Sequence, residues 1–135
     1  MNKELIEKAS AIREDLLALS AHATDVKTLT EFLQKPRSTM WRDYEKLWPY
    51  MTEDQKSRSY CLGGLQTNAE NYLAAVQYGR AEDADVLRLC KDLLTGTVTK
   101  MVPLMIADLD DLLENLNEGN SGTAKIGSGS NAKED

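Results

Sequence analysis

Apolar side chains recur every three or four residues along most of the chain, which is the spacing of a helix that buries one face. No segment alternates between apolar and polar residues in the way a half-buried strand does. The pattern therefore predicts an all-α protein. The first helix carries one continuous apolar seam, made of Leu5, Ala9, Ile12, Leu16, Leu19 and Ala23.

Two short helices are predicted to follow. Thr24 or Asp25 can cap the second helix, which must end near Lys35 because Pro36 disfavours helical backbone before it. The third helix follows Ser38 and stops at Pro49. The side chains predicted to be buried on these two helices are Val26, Leu29, Phe32, Leu33, Met40, Tyr44 and Leu47.

Two long helical segments complete the pattern. Thr52 and Gln55 form a capping box that opens the first of them, and Gly79 is placed to end it. The second begins at Glu82 and Asp83 and is interrupted around Gly96 and Pro103. The residues predicted to be buried are Leu62, Leu65, Ala69, Tyr72 and Val76 on the first segment, and Val86, Leu87, Cys90, Leu93, Leu94, Met101, Met105, Leu109, Leu112 and Leu116 on the second.

These segments predict a bundle of five or six helices with two long helical segments, forming a single domain over residues 1–118. Residues 119–135 are rich in glycine, serine and asparagine and have too few apolar side chains to form a core. We therefore expect this C-terminal tail to be disordered.

Charge is distributed unevenly along the chain. The net charge of the whole chain is -6, which argues against a protein that coats nucleic acid. Residues 27–58 hold seven basic and five acidic side chains and are the net-basic segment, whereas residues 59–118 hold four basic and ten acidic ones. Any attraction for nucleic acid is thus confined to residues 27–58.

The remaining composition favours a cytoplasmic protein. The chain starts with charged residues instead of a secretory signal, and no apolar run approaches the roughly 18 residues that cross a bilayer. Cys61 and Cys90 are far apart within helical patterns, which is typical of reduced, buried thiols. We expect no membrane association.

One segment, LTEFLQKPRSTMWRDYEKL from Leu29 to Leu47, points to a particular activity. It resembles the helix-turn-helix of bacterial DNA-binding regulators, in which a short helix and a tight turn precede a recognition helix. The phrase from Arg37 to Leu47 is similar to that recognition helix. The segment departs from the family pattern at Gln34, Lys35 and Pro36.

The resemblance implies a three-helix DNA reader over residues 1–48, with the third helix laid in the major groove of duplex DNA. Residues 52–118 would then supply the long helices for packing or for a homodimer. With Met40, Tyr44 and Leu47 inward, Trp41 is free to point outward. The predicted DNA-binding side chains are Arg37, Ser38, Thr39, Trp41, Arg42 and Lys46.

Side chains suited to catalysis or metal binding are sparse. His22 is the sole histidine, so a structural zinc site or a cysteine–histidine nucleophile has too few partners within one chain. We therefore expect no enzyme activity and no cofactor. An acidic group on the last helix is expected to be its solvated side; it comprises Asp108, Asp110, Asp111 and Glu114.

Two functions remain open. The first is a small helix-turn-helix regulator that binds duplex DNA as a dimer. The second is a protein–protein interaction module with no DNA binding, such as an inhibitor, an immunity factor or an assembly chaperone, that presents its acidic helical face to a basic protein partner. In the second case residues 26–48 are ordinary helices of the bundle.

Overall fold

The computed structural model of the chain describes residues 2–79 and 83–118, and the regular secondary structure of these residues is helical. The predicted disordered tail, residues 119–135, lies outside the described residues, and so does Glu82 at the predicted start of a helix. The helices are α1 (Asn2–His22), α2 (Val26–Gln34), α3 (Arg37–Leu47), a 3-10 turn (Trp48–Tyr50), α4 (Glu53–Ser59), α5 (Cys61–Tyr78), α6 (Ala84–Lys100) and α7 (Val102–Asn117).

Two pairs of these segments are bent helices. Tyr60 joins α4 to α5 and Met101 joins α6 to α7, each through one residue with right-handed helical backbone angles. The second bend coincides with Pro103, which has no N–H to donate to the preceding turn. The described residues thus form five helices, two of them long, which confirms the predicted architecture.

The core lies where α1 runs antiparallel to α7. The side-chain amide of Asn2 at the start of α1 donates to the carbonyl of Leu116 near the end of α7 (3.5 Å), and Arg13 pairs with Asp110 further along. The predicted seam of α1 is buried at its four central positions, and α7, α3 and α2 are its main neighbours. Fully buried members include Ile12, Leu16, Leu19, Leu29, Tyr44, Leu47, Leu62, Leu65, Leu94 and Leu109.

The predicted helix ends are present. The carboxylate of Asp25 accepts from the backbone N–H of Thr28 (2.9 Å) and caps α2. Thr52 and Gln55 form the reciprocal capping box of α4. A Cβ added at Gly79 would lie 2.3 Å from the carbonyl oxygen of Ala75, so the end of α5 requires glycine.

Burial departs from prediction at Val26 on α2, which is exposed, and at the hairpin formed by α5 and α6. Asn68 on α5 donates to the hydroxyl of Thr97 on α6 (2.9 Å), so the two helices run antiparallel toward a tip between Tyr78 and Ala84. Leu94 and Val98 are buried near the base of the hairpin. Closer to the tip the predicted burial is wrong, because Val76, Val86, Leu87 and Leu93 are all exposed.

None of the helices in the two described ranges is both long enough and apolar enough to span a membrane.

Candidate functional site

The predicted DNA-reading helix, α3, is held against the core by its apolar face. Met40, Tyr44 and Leu47 are each at most 1% exposed, as predicted. Burial raises the pKa of the Tyr44 hydroxyl, and the nearby Asp108 carboxylate acts in the same direction. The opposite side of α3 is therefore the side available to a ligand.

The connection before α3 is built from extended backbone. Gln34 is the last residue of α2, and Lys35 and Pro36 both have ψ near 130–140° with negative φ. No residue of this connection adopts the left-handed conformation that favours glycine. Lys35 and Pro36, which depart from the family pattern in sequence, therefore form an extended connection instead of a turn with a left-handed residue.

Arg37, a predicted phosphate contact, is bound to α5. Its guanidinium donates to the Glu70 carboxylate (3.1 Å), to the backbone carbonyl of Gly63 (2.8 Å) and to the hydroxyl of Thr67. These bonds use both terminal nitrogens of the side chain. They tie the start of α3 to the middle of α5.

Trp41 lies on the same edge of α3 and is half-buried, whereas the sequence predicted a free outward position. A Cβ added at Gly63 would be 3.3 Å from Cζ2 of the indole, so glycine gives Trp41 its room. Tyr60 stacks obliquely on Trp41 (6.2 Å between centroids) and edge-on against Trp48 (5.3 Å). Through these three aromatic rings α3 packs against the junction of α4 and α5.

The other predicted DNA contacts lie on or beside the outward side of α3. Ser38 and Arg42 are exposed and Thr39 is half-buried. The ammonium group of Lys46 is 3.9 Å from the Glu4 carboxylate of α1. Arg42 is the basic side chain of α3 that has no ion pair or hydrogen bond to other described residues.

The acidic group on α7 is largely engaged within the chain. Asp108 is 7% exposed and accepts two hydrogen bonds from the Arg58 guanidinium (2.7 and 2.8 Å), so the prediction that it lies on the solvated side is wrong. The same bonds raise the pKa of Arg58. Asp110 pairs with Arg13, and Asp111 accepts from Gln55. Glu114 is exposed.

A second surface, the apolar tip of the hairpin, was missed by the sequence interpretation. We define the tip surface by six exposed side chains, namely Val76, Tyr78, Val86, Leu87, Leu89 and Leu93. A shallow cleft of about 270 Å³ separates Val76 on α5 from Val86 and Leu87 on α6. The signal was present in the sequence, since Leu89 is an apolar residue of the same helix that lies outside the set predicted to be buried.

The described residues contain no group of three or more histidine, cysteine, aspartate or glutamate side chains placed to hold a metal ion. Cys61 and Cys90 are half-buried free thiols. The two candidate functional surfaces are therefore the outward side of α3 and the tip surface.

Comparison of the chain with models of known protein families, with curated proteins and with solved structures gives no match.

Proposed function

We propose that this chain is a non-enzymatic protein–protein interaction module that binds a partner chain through the tip surface. The observation that carries the proposal is the clustering of exposed apolar side chains. Of the ten large hydrophobic side chains found exposed among the described residues, six belong to the tip surface. Single exposed leucines are ordinary on protein surfaces, but several exposed apolar side chains on one helical hairpin are typical of an interaction site.

The energetic argument follows from the hydrophobic effect. Leu89 is 58% exposed, Val86 54% and Leu93 51%, so much of each side chain remains in water. Covering apolar surface releases about 25 cal/mol for each Å² removed from water. A partner that presents an apolar helix face would gain this free energy at the tip surface.

Attraction between the acidic side chains of α7 and a basic partner supports the proposal less well than apolar contact does. The acidic side chains Asp108, Asp110 and Asp111 already bond to Arg58, Arg13 and Gln55 of the same chain. A basic partner attracted to α7 would have to compete with these contacts. We therefore assign the main binding energy to apolar contact, with the negative net charge acting on the rate of encounter.

Site-specific photo-crosslinking in cells that express the protein tests the proposal. A photoreactive phenylalanine analogue placed at Leu89 should give a discrete crosslinked product, because a bound partner covers that position. The matched control places the same analogue at Glu45, which is exposed on α3 outside the tip surface. Absence of any discrete product at Leu89, or equal products at both positions, would contradict the proposal.

DNA binding through α3 is the second candidate function. It is favoured by one observation: Ser38 and Arg42 remain exposed on the outward side of the helix, within the net-basic segment. Arginine can donate two hydrogen bonds to guanine in the major groove. Arg37, Trp41 and Lys46, in contrast, already contact α5 or α1.

Titration of labelled duplex DNA at about 50 and 200 mM salt tests this second candidate. If α3 reads DNA, micromolar protein binds at the lower salt concentration and binding weakens at the higher one. Arg42→Ala should weaken it further, whereas Asp111→Asn should not weaken it. No binding at the lower salt concentration would eliminate this function and leave the interaction module unaffected.

A further inference from the structure

The apolar positions of α6 form a self-complementary stripe. Val86, Leu89, Leu93 and Gly96 are spaced by three, four and three residues, the spacing of a helix that packs along another helix. The stripe lies beside the face that buries Leu94 and Val98 against the rest of the bundle. We propose that a second copy of this chain covers the stripe, with the two α6 helices packed antiparallel about a two-fold axis near Lys91.

This inference rests on the proposed function, since it names the partner that occupies part of the tip surface. An antiparallel pair centred near Lys91 sets Leu89 of one copy against Leu93 of the other. It also sets Val86 against Gly96, so a branched side chain faces a residue with no side chain. No heavy atom lies within 4 Å of a Cβ added at Gly96, so the space beside this glycine is open within one copy.

Charge at the two ends of the stripe selects the antiparallel arrangement. Asp85 is exposed near the start of α6, where it pairs with Arg88 of the same helix (2.7 Å), and Lys100 is exposed at the end of α6. Antiparallel pairing brings Asp85 of one copy within about one helical turn of Lys100 of the other, at both ends of the interface. Parallel pairing would bring like charges together at each end, which is unfavourable.

One charged side chain opposes the antiparallel pairing and offers a substitution that tests it. Asp92 is exposed and lies beside the stripe close to the proposed axis. Antiparallel pairing therefore places the Asp92 carboxylates of the two copies near each other. Removing this repulsion should tighten the dimer, whereas binding of a partner protein that places no acidic side chain beside Asp92 has no such response.

The size of the stripe sets the expected affinity. The axial rise from Val86 to Gly96 is about 15 Å, which makes the contact smaller than a standard interface of roughly 800 Å² per partner. We therefore expect a dissociation constant on the order of 10 µM.

Sedimentation equilibrium of the full chain from about 1 to 300 µM tests the inference, because this range brackets the expected constant. The mass should rise from one copy toward two. Leu89→Lys and Leu93→Lys should keep the protein monomeric throughout, and circular dichroism should show unchanged helicity because both positions are exposed. Val26→Lys, at an apolar residue 39% exposed on α2, is the matched control and should dimerise like the wild type.

Asp92→Asn sharpens the test by tightening the dimer about 2- to 10-fold, with the larger gain at low salt. A monomeric mass for the wild type at all concentrations overturns the second-copy inference. So does a dimer that survives Leu93→Lys, or one that Asp92→Asn leaves unchanged. Crosslinking at Leu89 to a different protein would overturn the inference while supporting the proposed function, so the two can fail separately.

Discussion

The body of the bundle and the tip of its α5–α6 hairpin have the same spacing of apolar residues, but these side chains are buried in the body and exposed at the tip. In the body, formed by α1, α3, α4 and α7, each stripe faces another helix, and leucines such as Leu16 and Leu109 are fully buried. In the tip, residues of the same type at the same spacing, such as Leu89 and Leu93, are more than half exposed.

The difference shows what helical periodicity does and does not determine. A stripe spaced by three and four residues makes a helix amphipathic, but burial requires a second helix alongside it. α7 has α1 beside it, as the contacts of Asn2 with Leu116 and of Arg13 with Asp110 show. On the outward side of α6 Leu89 and Leu93 are exposed, although the adjacent Leu94 is fully buried, so the described helices leave that side of α6 uncovered.

The largest expected contrast comes from one substitution made in both regions. Leu109→Ala should lower the free energy of unfolding by about 3 kcal/mol, because it removes buried contacts and leaves a cavity. Leu89→Ala should change it by less than about 0.5 kcal/mol when measured below the concentration at which copies associate. Urea unfolding followed by circular dichroism measures both values. Equal losses at the two positions would contradict the distinction between body and tip.

The buried ion pair of the body gives the next largest effect. Arg58→Ala leaves the Asp108 carboxylate, at 7% exposure, without its two hydrogen bonds. Since Arg58 itself is one-third exposed, we expect a loss of about 2 kcal/mol, below the range for fully buried pairs.

Arg13→Ala is the matched control for the ion pair. It breaks a pair whose partner, Asp110, is half-exposed, and should cost less than about 0.5 kcal/mol. Both variants are compared by thermal unfolding at one protein concentration. A loss at Arg13 as large as that at Arg58 would show that burial of Asp108 does not decide the effect.

These contrasts explain which parts of the structure were accessible from the sequence. Local signals were informative: the seam of α1 is buried at its four central positions, Asp25 is the cap out of the two candidates, and the Thr52–Gln55 capping box is present. Each depends on residues within a few positions of one another, which a single sequence displays directly.

Features that depend on distant contacts were not accessible. Whether Trp41 faces solvent is decided by Gly63, and whether Asp108 is solvated is decided by Arg58, which is 50 residues away along the chain. Exposure of Leu93 depends on which side of α6 the other helices pack against, since the adjacent Leu94 is fully buried. Residue type therefore indicated α3 as a candidate site, while packing decided which of its side chains are engaged; the tip surface was not predicted at all.

The paired glycines of α5 test how tightly α3 is held. Gly64→Ala should raise stability by about 0.5–1 kcal/mol, because alanine favours a helix and nothing lies within 4 Å of the added Cβ. Gly63→Ala should give no such gain, because its Cβ would meet the Trp41 ring at 3.3 Å. Chemical unfolding measures the pair, and tryptophan fluorescence should shift only for Gly63→Ala. Equal stabilisation at both positions would show that Trp41 does not pack on Gly63.

The smallest effect concerns α2, which contacts both α1 and α5 and so links the body to the hairpin. Hydrogen bonds from the Thr28 backbone N–H and hydroxyl hold the pKa of Asp25 below its usual 3.8. Because the folded pKa is depressed, this stabilisation is present above pH 3.8 and is lost as the pH falls through the folded value.

Asparagine caps helices without titrating, so wild type should lose stability relative to Asp25→Asn between about pH 4 and pH 2. Unfolding midpoints of the two proteins across this range measure the difference, in which the other carboxylates cancel. A difference that stays constant with pH would show that ionisation of the Asp25 carboxyl does not stabilise the start of α2.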